Sequence, residues 1–123
     1  MILVVDDDAQ VRATISRALS ELGYAVSEAG DGPSALDIVR QGQIDLVVLD
    51  YVMPGMDGAE VAREIAGIDP DLPVIFSTGH AALRALRTAA GDDVPVLHKP
   101  FTLDELDDLL RERLLERRRA KSL

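Results

Sequence analysis

Polar residues that could bind a metal ion and a phosphoryl group follow four short apolar runs of this chain. The runs end, in chain order, at Asp6-Asp7-Asp8, Asp50, Ser77-Thr78 and His98-Lys99. Short β-rich runs separated by helical stretches indicate a parallel sheet, and such sheets bind ligands beyond the carboxyl ends of their strands. We therefore expect carboxylates, a hydroxyl and a lysine to converge at one sheet edge, where they suit a divalent cation and a phosphoryl group.

Asp6 and Asp7 are the candidate metal ligands in the first of these clusters. Carboxylates packed this closely at a strand end repel each other, and a bound cation would relieve the repulsion. Mg²⁺ prefers oxygen ligands and is often held by one or two carboxylates together with phosphate oxygens. Asp8 is explained more simply as the cap of the helix that follows.

Asp50 is the candidate nucleophile, because four aliphatic residues precede it and should leave its carboxylate partly desolvated. Carboxylates can form covalent intermediates, including an aspartyl-phosphate. Lys99 could offset charge on a phosphoryl oxygen, and Thr78 could donate a hydrogen bond to the same group. A cis peptide bond at Lys99-Pro100 could hold the lysine inward. Each of these residues has an ordinary role when alone, so the hypothesis depends on their occurring together.

Strand and helix patterns alternate five times along the chain, which predicts an α/β fold. Strands are expected at about 2–6, 25–28, 45–49, 73–77 and 94–98. Helices are expected at about 9–22, from 31–33, from 57–58, at 81–90, and from a capping box at Thr102 and Glu105. Right-handed crossovers between parallel strands then give a sheet with helices on both faces.

Composition limits the class of protein further. The chain has 123 residues, a net charge of −9 and no cysteine. That length predicts one domain, at residues 1–116, followed by a basic C-terminal tail at 117–123. The negative charge disfavours nonspecific binding to nucleic acid, and no apolar run is long enough to span a membrane. We expect a cytoplasmic protein. It also lacks the glycine-rich loops that hold nucleotide phosphates.

The chain resembles, from end to end, the receiver domain of two-component response regulators. The matching motifs are Val4-Val5-Asp6-Asp7, Asp50 with Met53–Gly58, Ser77-Thr78-Gly79 and Lys99-Pro100-Phe101. Their order and spacing are specific together, although none of them would suffice alone. The resemblance implies a doubly wound, flavodoxin-like fold, as in chemotaxis regulators, with five parallel strands in the order 2-1-3-4-5.

The resemblance also implies a phosphorelay function. Asp50 would accept a phosphoryl group from a phosphohistidine on a sensor histidine kinase or a histidine phosphotransfer protein. Lys99 and Thr78 would contact the phosphoryl oxygens. The domain would be a signalling module and not an enzyme, apart from weak self-phosphorylation and self-dephosphorylation. A homodimer through helix four, strand five and helix five is compatible with the sequence, which does not establish it.

A magnesium ion, or Mn²⁺ in its place, is the cofactor that the resemblance implies. Asp7, Asp50 and the backbone carbonyl of Val52 would ligate it, and Asp6 would help through a water molecule. One position departs from the family pattern. Val96 stands three residues before the lysine, where the family usually has an aromatic switch residue, so the usual ring rotation is not available here.

The alternative hypothesis is a phosphohydrolase of the haloacid-dehalogenase type, with Asp6 as the nucleophile. Asp6 and Asp8 have the D-x-D spacing of that class. Against it, Gln10 stands where threonine or valine is common, and the chain has no room for a substrate-selecting cap. The aspartate that becomes phosphorylated distinguishes the two, since the receiver uses Asp50.

Overall fold

The computed structural model describes residues 1–122, except for the side chains of 80 and 120–122. Five parallel strands form one sheet in the order β2-β1-β3-β4-β5, which confirms the predicted fold class. The elements are, in chain order, β1 (Ile2–Val5), α1 (Ala9–Glu21), β2 (Val26–Ala29), α2 (Gly32–Arg40), β3 (Leu46–Asp50), α3 (Gly58–Ile68), β4 (Val74–Thr78), α4 (His80–Ala90), β5 (Val96–His98) and α5 (Leu103–Ser122).

The central strands are buried on both faces, and each face has its own apolar core. Alternate residues of β1 point to opposite sides, so Leu3 and Val5 pack with α2, α3 and α4, while Ile2 and Val4 pack with α1 and α5. Continuous aliphatic runs, instead of alternating ones, are what a sheet covered by helices on both faces requires. None of the helices in residues 1–122 is long and apolar enough to cross a membrane.

Side-chain caps position the helix starts that the sequence predicts. Asp8 accepts hydrogen bonds from the first turn of α1, Asp31 does so for α2, and Asp57 does so for α3. Thr102 and Glu105 exchange hydrogen bonds before α5, which confirms the predicted capping box. Caps of this kind each contribute about 1 kcal/mol to stability. The capped starts of α1 and α3 follow β1 and β3, whose carboxyl ends carry the predicted site.

Several element boundaries differ from the predicted ones by one or two residues. β5 begins at Val96 and not at Val94, and Pro95 precedes it. Proline has no N–H to donate to a sheet, but the Pro95 carbonyl accepts a hydrogen bond from Phe76 N–H at 3.0 Å. Asp50 and Thr78 are the last residues of β3 and β4, so their backbones are held by the sheet itself.

Helix α5 continues past the predicted end of the domain. It reaches Ser122, and the Arg117 side chain is only 7% exposed. Its Nη2 donates to Asp69 Oδ2 at 3.0 Å and, over a longer 3.4 Å, to the Ile44 carbonyl. Arg117 therefore packs against the loop that precedes β4. The division into a domain at 1–116 and a tail at 117–123 stays a prediction.

We expect Asp69→Asn to destabilise the protein more than Arg117→Leu does. Removing the Asp69 charge leaves a buried guanidinium without its counterion, at a cost of about 2 kcal/mol. Leucine at position 117 removes the buried charge altogether, together with Nε and Nη1 atoms that have no hydrogen-bond partner. Urea unfolding of both variants checks this. A larger loss for Arg117→Leu would show that the ion pair contributes net stability.

Candidate functional site

Three carboxylates meet at the carboxyl edge of the sheet. Oxygens of Asp6, Asp7 and Asp50 all lie within 4.8 Å of one another. Asp6 is 2% exposed and Asp50 is 8% exposed, whereas Asp7 faces solvent. The strand pairing explains their meeting, because Val5 of β1 lies opposite Leu49 of β3, one residue before the acidic positions. This is a compact set of oxygen ligands of the kind that Mg²⁺ prefers.

Lys99 supplies positive charge to this cluster from the end of the edge strand β5, which β4 separates from β3. Its Nζ lies 3.4 Å from Asp6 Oδ2 and 3.5 Å from Asp50 Oδ1. The Lys99 N–H donates to the Thr78 carbonyl at 2.8 Å, so β4 holds the lysine backbone in place. The Lys99-Pro100 peptide bond is cis, as predicted. One ammonium group therefore faces two buried carboxylates at distances longer than a close ion pair.

Asp50 is held in an environment that disfavours its charged form. Burial raises the pKa of the Asp50 carboxyl above its ordinary value, and the neighbouring Asp6 carboxylate adds to this effect. Lys99 and a hydrogen bond from the Val52 N–H act in the opposite direction, but burial outweighs them. A desolvated carboxylate with an adjacent cation is a suitable nucleophile for a phosphoryl group.

Thr78 and Val52 complete the walls of an open cleft above the carboxylates. The cleft has a volume of about 430 Å³, and its lining includes the three aspartates, Val52, Thr78 and Lys99. Thr78 is buried, and its hydroxyl makes a long 3.3 Å hydrogen bond to the Gly79 carbonyl. The Val52 side chain is exposed at the rim. The structure thus brings all the predicted site residues together around one cavity.

Two further residues shape the site, and the sequence analysis did not identify their roles. A Cβ on Gly58 would lie 2.7 Å from Tyr51 Cα and 2.8 Å from the Asp50 carbonyl oxygen, so only glycine fits there. Arg12 donates from Nη1 to the Asp6 carbonyl at 2.7 Å and pairs with Glu28 through Nε. The sequence pair Asp57-Gly58 could have indicated the role of Gly58. No neighbouring residue in the sequence indicates the role of Arg12.

The fold and the site together define a class of protein: a doubly wound α/β domain with three clustered carboxylates and a lysine at the carboxyl ends of its strands. The model of the response regulator receiver domain family matches residues 2–111. The chain therefore belongs to the receiver domain family of two-component response regulators. This confirms the resemblance drawn from the sequence motifs.

Individual relatives agree with this assignment. The chain is 45% identical over 119 residues to the response regulator MprA of Mycobacterium tuberculosis, covering 95% of this chain and 50% of that protein. It thus spans about half the length of the curated relatives that it matches. It is 44% identical to MprA of Mycobacterium avium over 95% of this chain and 51% of that protein. These relatives give no support to the alternative phosphohydrolase.

Solved structures show the same fold. The receiver domain of NtrX from Brucella abortus superposes with a TM-score of 0.85 at 32% identity, covering 93% of this chain and 98% of that one. A response regulator receiver protein from Sinorhizobium medicae superposes with a TM-score of 0.84 at 33% identity, covering 94% of each chain.

Asp50→Asn is expected to stabilise the protein at neutral pH. Because the pKa of Asp50 is raised on folding, the folded protein binds more protons than the unfolded chain between the two pKa values. The unfolding free energy of the wild type therefore falls as pH rises through that window, whereas asparagine does not titrate. Urea unfolding without divalent cations, from about pH 4 to about pH 8, tests this. A difference between the two proteins that does not grow with pH would contradict it.

Proposed function

We propose that this domain takes a phosphoryl group from a phosphohistidine on a sensor histidine kinase or a histidine phosphotransfer protein and carries it on Asp50. One observation carries the proposal. The Asp50 carboxylate lies 3.5 Å from Lys99 Nζ and within 4.8 Å of the Asp6 and Asp7 carboxylates, and it lines an open cleft where strand ends converge. A nucleophile, a cation and a set of metal ligands are the parts that phosphoryl transfer needs.

The proposed metal ligands are Asp7, Asp50 and the backbone carbonyl of Val52, with Asp6 acting through a water molecule. The carboxylates fit Mg²⁺, or Mn²⁺, because their oxygens lie close together and, among the side chains that the structure describes, only Lys99 forms ion pairs with them. Val52 lines the same cleft as the three carboxylates, and its N–H lies close enough to Asp50 to lower the pKa of that carboxyl. When bound, the ion offsets the negative charge of the phosphoryl oxygens.

The proposed transfer is an in-line displacement. An oxygen of the Asp50 carboxylate forms a bond to phosphorus as the P–N bond to the partner's imidazole breaks, and the electron pair stays on that nitrogen. Lys99 moves from its long contacts with Asp6 and Asp50 to a phosphoryl oxygen, and the Thr78 hydroxyl donates to another. Both contacts stabilise the charge on the transferred group. Attack by water on phosphorus then restores Asp50 and releases phosphate.

The signalling role follows from membership of the receiver family, and the finer details belong to this proposal. They are a cytoplasmic location, weak self-phosphorylation and self-dephosphorylation, and a homodimer contact through α4, β5 and α5. The domain is proposed to act by conformational change, without direct contact to nucleic acid or membrane. The MprA relatives are about twice as long as this chain, and the output of such a longer protein would come from its other part.

Intact-mass spectrometry after incubation with acetyl phosphate and Mg²⁺ tests the proposed acceptor. We expect one phosphoryl adduct that requires Mg²⁺ and is absent from Asp50→Ala. Asp8→Asn is the matched control, because Asp8 lies in the same acidic cluster but serves as the α1 cap. It should keep the adduct. An adduct that survives Asp50→Ala but is lost with Asp6→Asn would favour the phosphohydrolase.

Magnesium binding can be tested without any phosphoryl donor. Mg²⁺ at about 100 times its dissociation constant should raise the unfolding free energy of the wild type by about 2.7 kcal/mol. Asp7→Asn should lose most of this increment, since Asp7 is an exposed candidate ligand whose replacement leaves the core intact. Asp8→Asn should retain it. An equal Mg²⁺ effect in all three proteins would exclude Asp7 as a ligand.

A further inference from the structure

Arg12 joins helix α1 to the ends of two strands beside the carboxylate cluster. Its Nη1 donates to the Asp6 carbonyl at 2.7 Å, and its Nε donates to Glu28 Oε1 at 3.1 Å. Asp6 follows the last residue of β1, and Glu28 belongs to β2. The Arg12 side chain is only 22% exposed, so water competes little for these charge-assisted contacts. One side chain therefore fixes the chain at the point where β1 leads into the site.

The hydrogen bond from Arg12 restrains Asp7 as well as Asp6. The Asp6 carbonyl and the Asp7 nitrogen belong to one planar peptide unit, so a donor that holds this oxygen also restrains Asp7 Cα. The Asp6 carboxylate has a separate contact, because its Oδ1 accepts the Asp8 N–H at 2.9 Å. The Asp7 carboxylate, by contrast, makes no hydrogen bond or ion pair within the part of the chain that the structure describes. Its position therefore depends on the backbone that Arg12 holds.

The charge of Arg12 by itself would oppose metal binding. A guanidinium bonded to the backbone of one member of the carboxylate cluster repels a divalent cation bound there. Glu28 offsets this repulsion, since its carboxylate pairs with Arg12 Nε. Neither Arg12 nor Glu28 lines the cleft above the carboxylates. The Arg12–Glu28 pair can therefore orient the β1–α1 loop without presenting a net charge to the metal site.

We propose that Arg12 is a positioning residue for the metal ion. It holds the Asp6–Asp7 peptide so that the Asp7 carboxylate meets the ion, while Glu28 holds the guanidinium in place and offsets its charge. The role rests on the proposed ligation of the ion by Asp7. Arginine suits this role because its planar group carries donors to two acceptors at once. Residues that orient metal ligands typically contribute about 10- to 100-fold to metal affinity.

Binding of Mn²⁺ without any phosphoryl donor tests the role of Arg12, with free Mn²⁺ measured by electron paramagnetic resonance. Arg12→Met should weaken binding at least about tenfold, because the Asp7 backbone is no longer held. The sign of the change is decisive, since removing a cation that acted by charge alone would tighten binding. Arg12→Lys should recover part of the affinity, because its ammonium can replace the contact with the Asp6 carbonyl but not the fork that also binds Glu28.

Glu28→Gln separates orientation from charge. The glutamine oxygen can still accept the Arg12 Nε–H, so the backbone contact stays, but the charge of Arg12 is no longer offset. Mn²⁺ binding should weaken by about threefold, the size expected for a partly exposed ion pair. This loss relative to the wild type should disappear at about 1 M salt, where charges are screened. The loss in Arg12→Met should persist at the same salt concentration, because it comes from orientation.

Arg17→Met is the matched control, because Arg17 is an exposed arginine of the same helix. It should bind Mn²⁺ as the wild type does, and circular dichroism should show every variant folded. In metal-free protein, Arg12→Met should also shift the amide NMR signal of Asp7. Equal or tighter Mn²⁺ binding by Arg12→Met, or an equal loss in Arg17→Met, overturns the role of Arg12 alone. A wild type that binds no Mn²⁺ overturns the proposed metal ligands and this role together.

Discussion

The repulsion among carboxylates at the carboxyl edge of the sheet is the constraint on which the rest of this structure depends. Two buried aspartates and one exposed aspartate share a site with Lys99. Such a cluster persists only because the parallel register fixes the backbones of β1 and β3 side by side. The aliphatic residues of these strands are fully buried on both faces, so the strands cannot separate to relieve the charge without exposing apolar surface to water.

The surroundings of the site show how the chain maintains this strained charge distribution. Arg12 holds the Asp6 carbonyl and leaves the Asp6 carboxylate to face the cleft. Gly58 lets the loop after Asp50 return to within contact of the strand, with its N–H bonded to the Tyr51 carbonyl at 2.8 Å. Neither residue is among the proposed metal ligands. Arg12 fixes the backbone at Asp6 and Gly58 allows close packing against the backbone of Asp50, so both carboxylates are held in place before any ligand binds.

Most of the fold and the set of site residues could be predicted from the sequence, for a definite physical reason. Strand runs, caps and acidic strand ends are local patterns, and the parallel topology turns strand ends into one site. Features that depend on tertiary contact could not be predicted. The reach of Arg12 to Asp6, the close approach of Gly58 and the burial of Arg117 against Asp69 join residues that are distant in the chain or depend on the path of a loop.

The position of Val96 bears on how a change at the site could reach the surface. Its register partner on β4 is Phe76, whose ring packs edge-on against Tyr51, the residue after Asp50. The aromatic side chains near Asp50 thus lie on β4 (Phe76) and just after β3 (Tyr51). The edge strand β5 has valine at position 96. Helix α5, by contrast, begins four residues after Lys99. Only three residues therefore separate Lys99 from Leu103, the first residue of that helix. The connection from Lys99 to α5 is therefore short and covalent, whereas at position 96 of β5 only a valine side chain is available to pass on a change at the site.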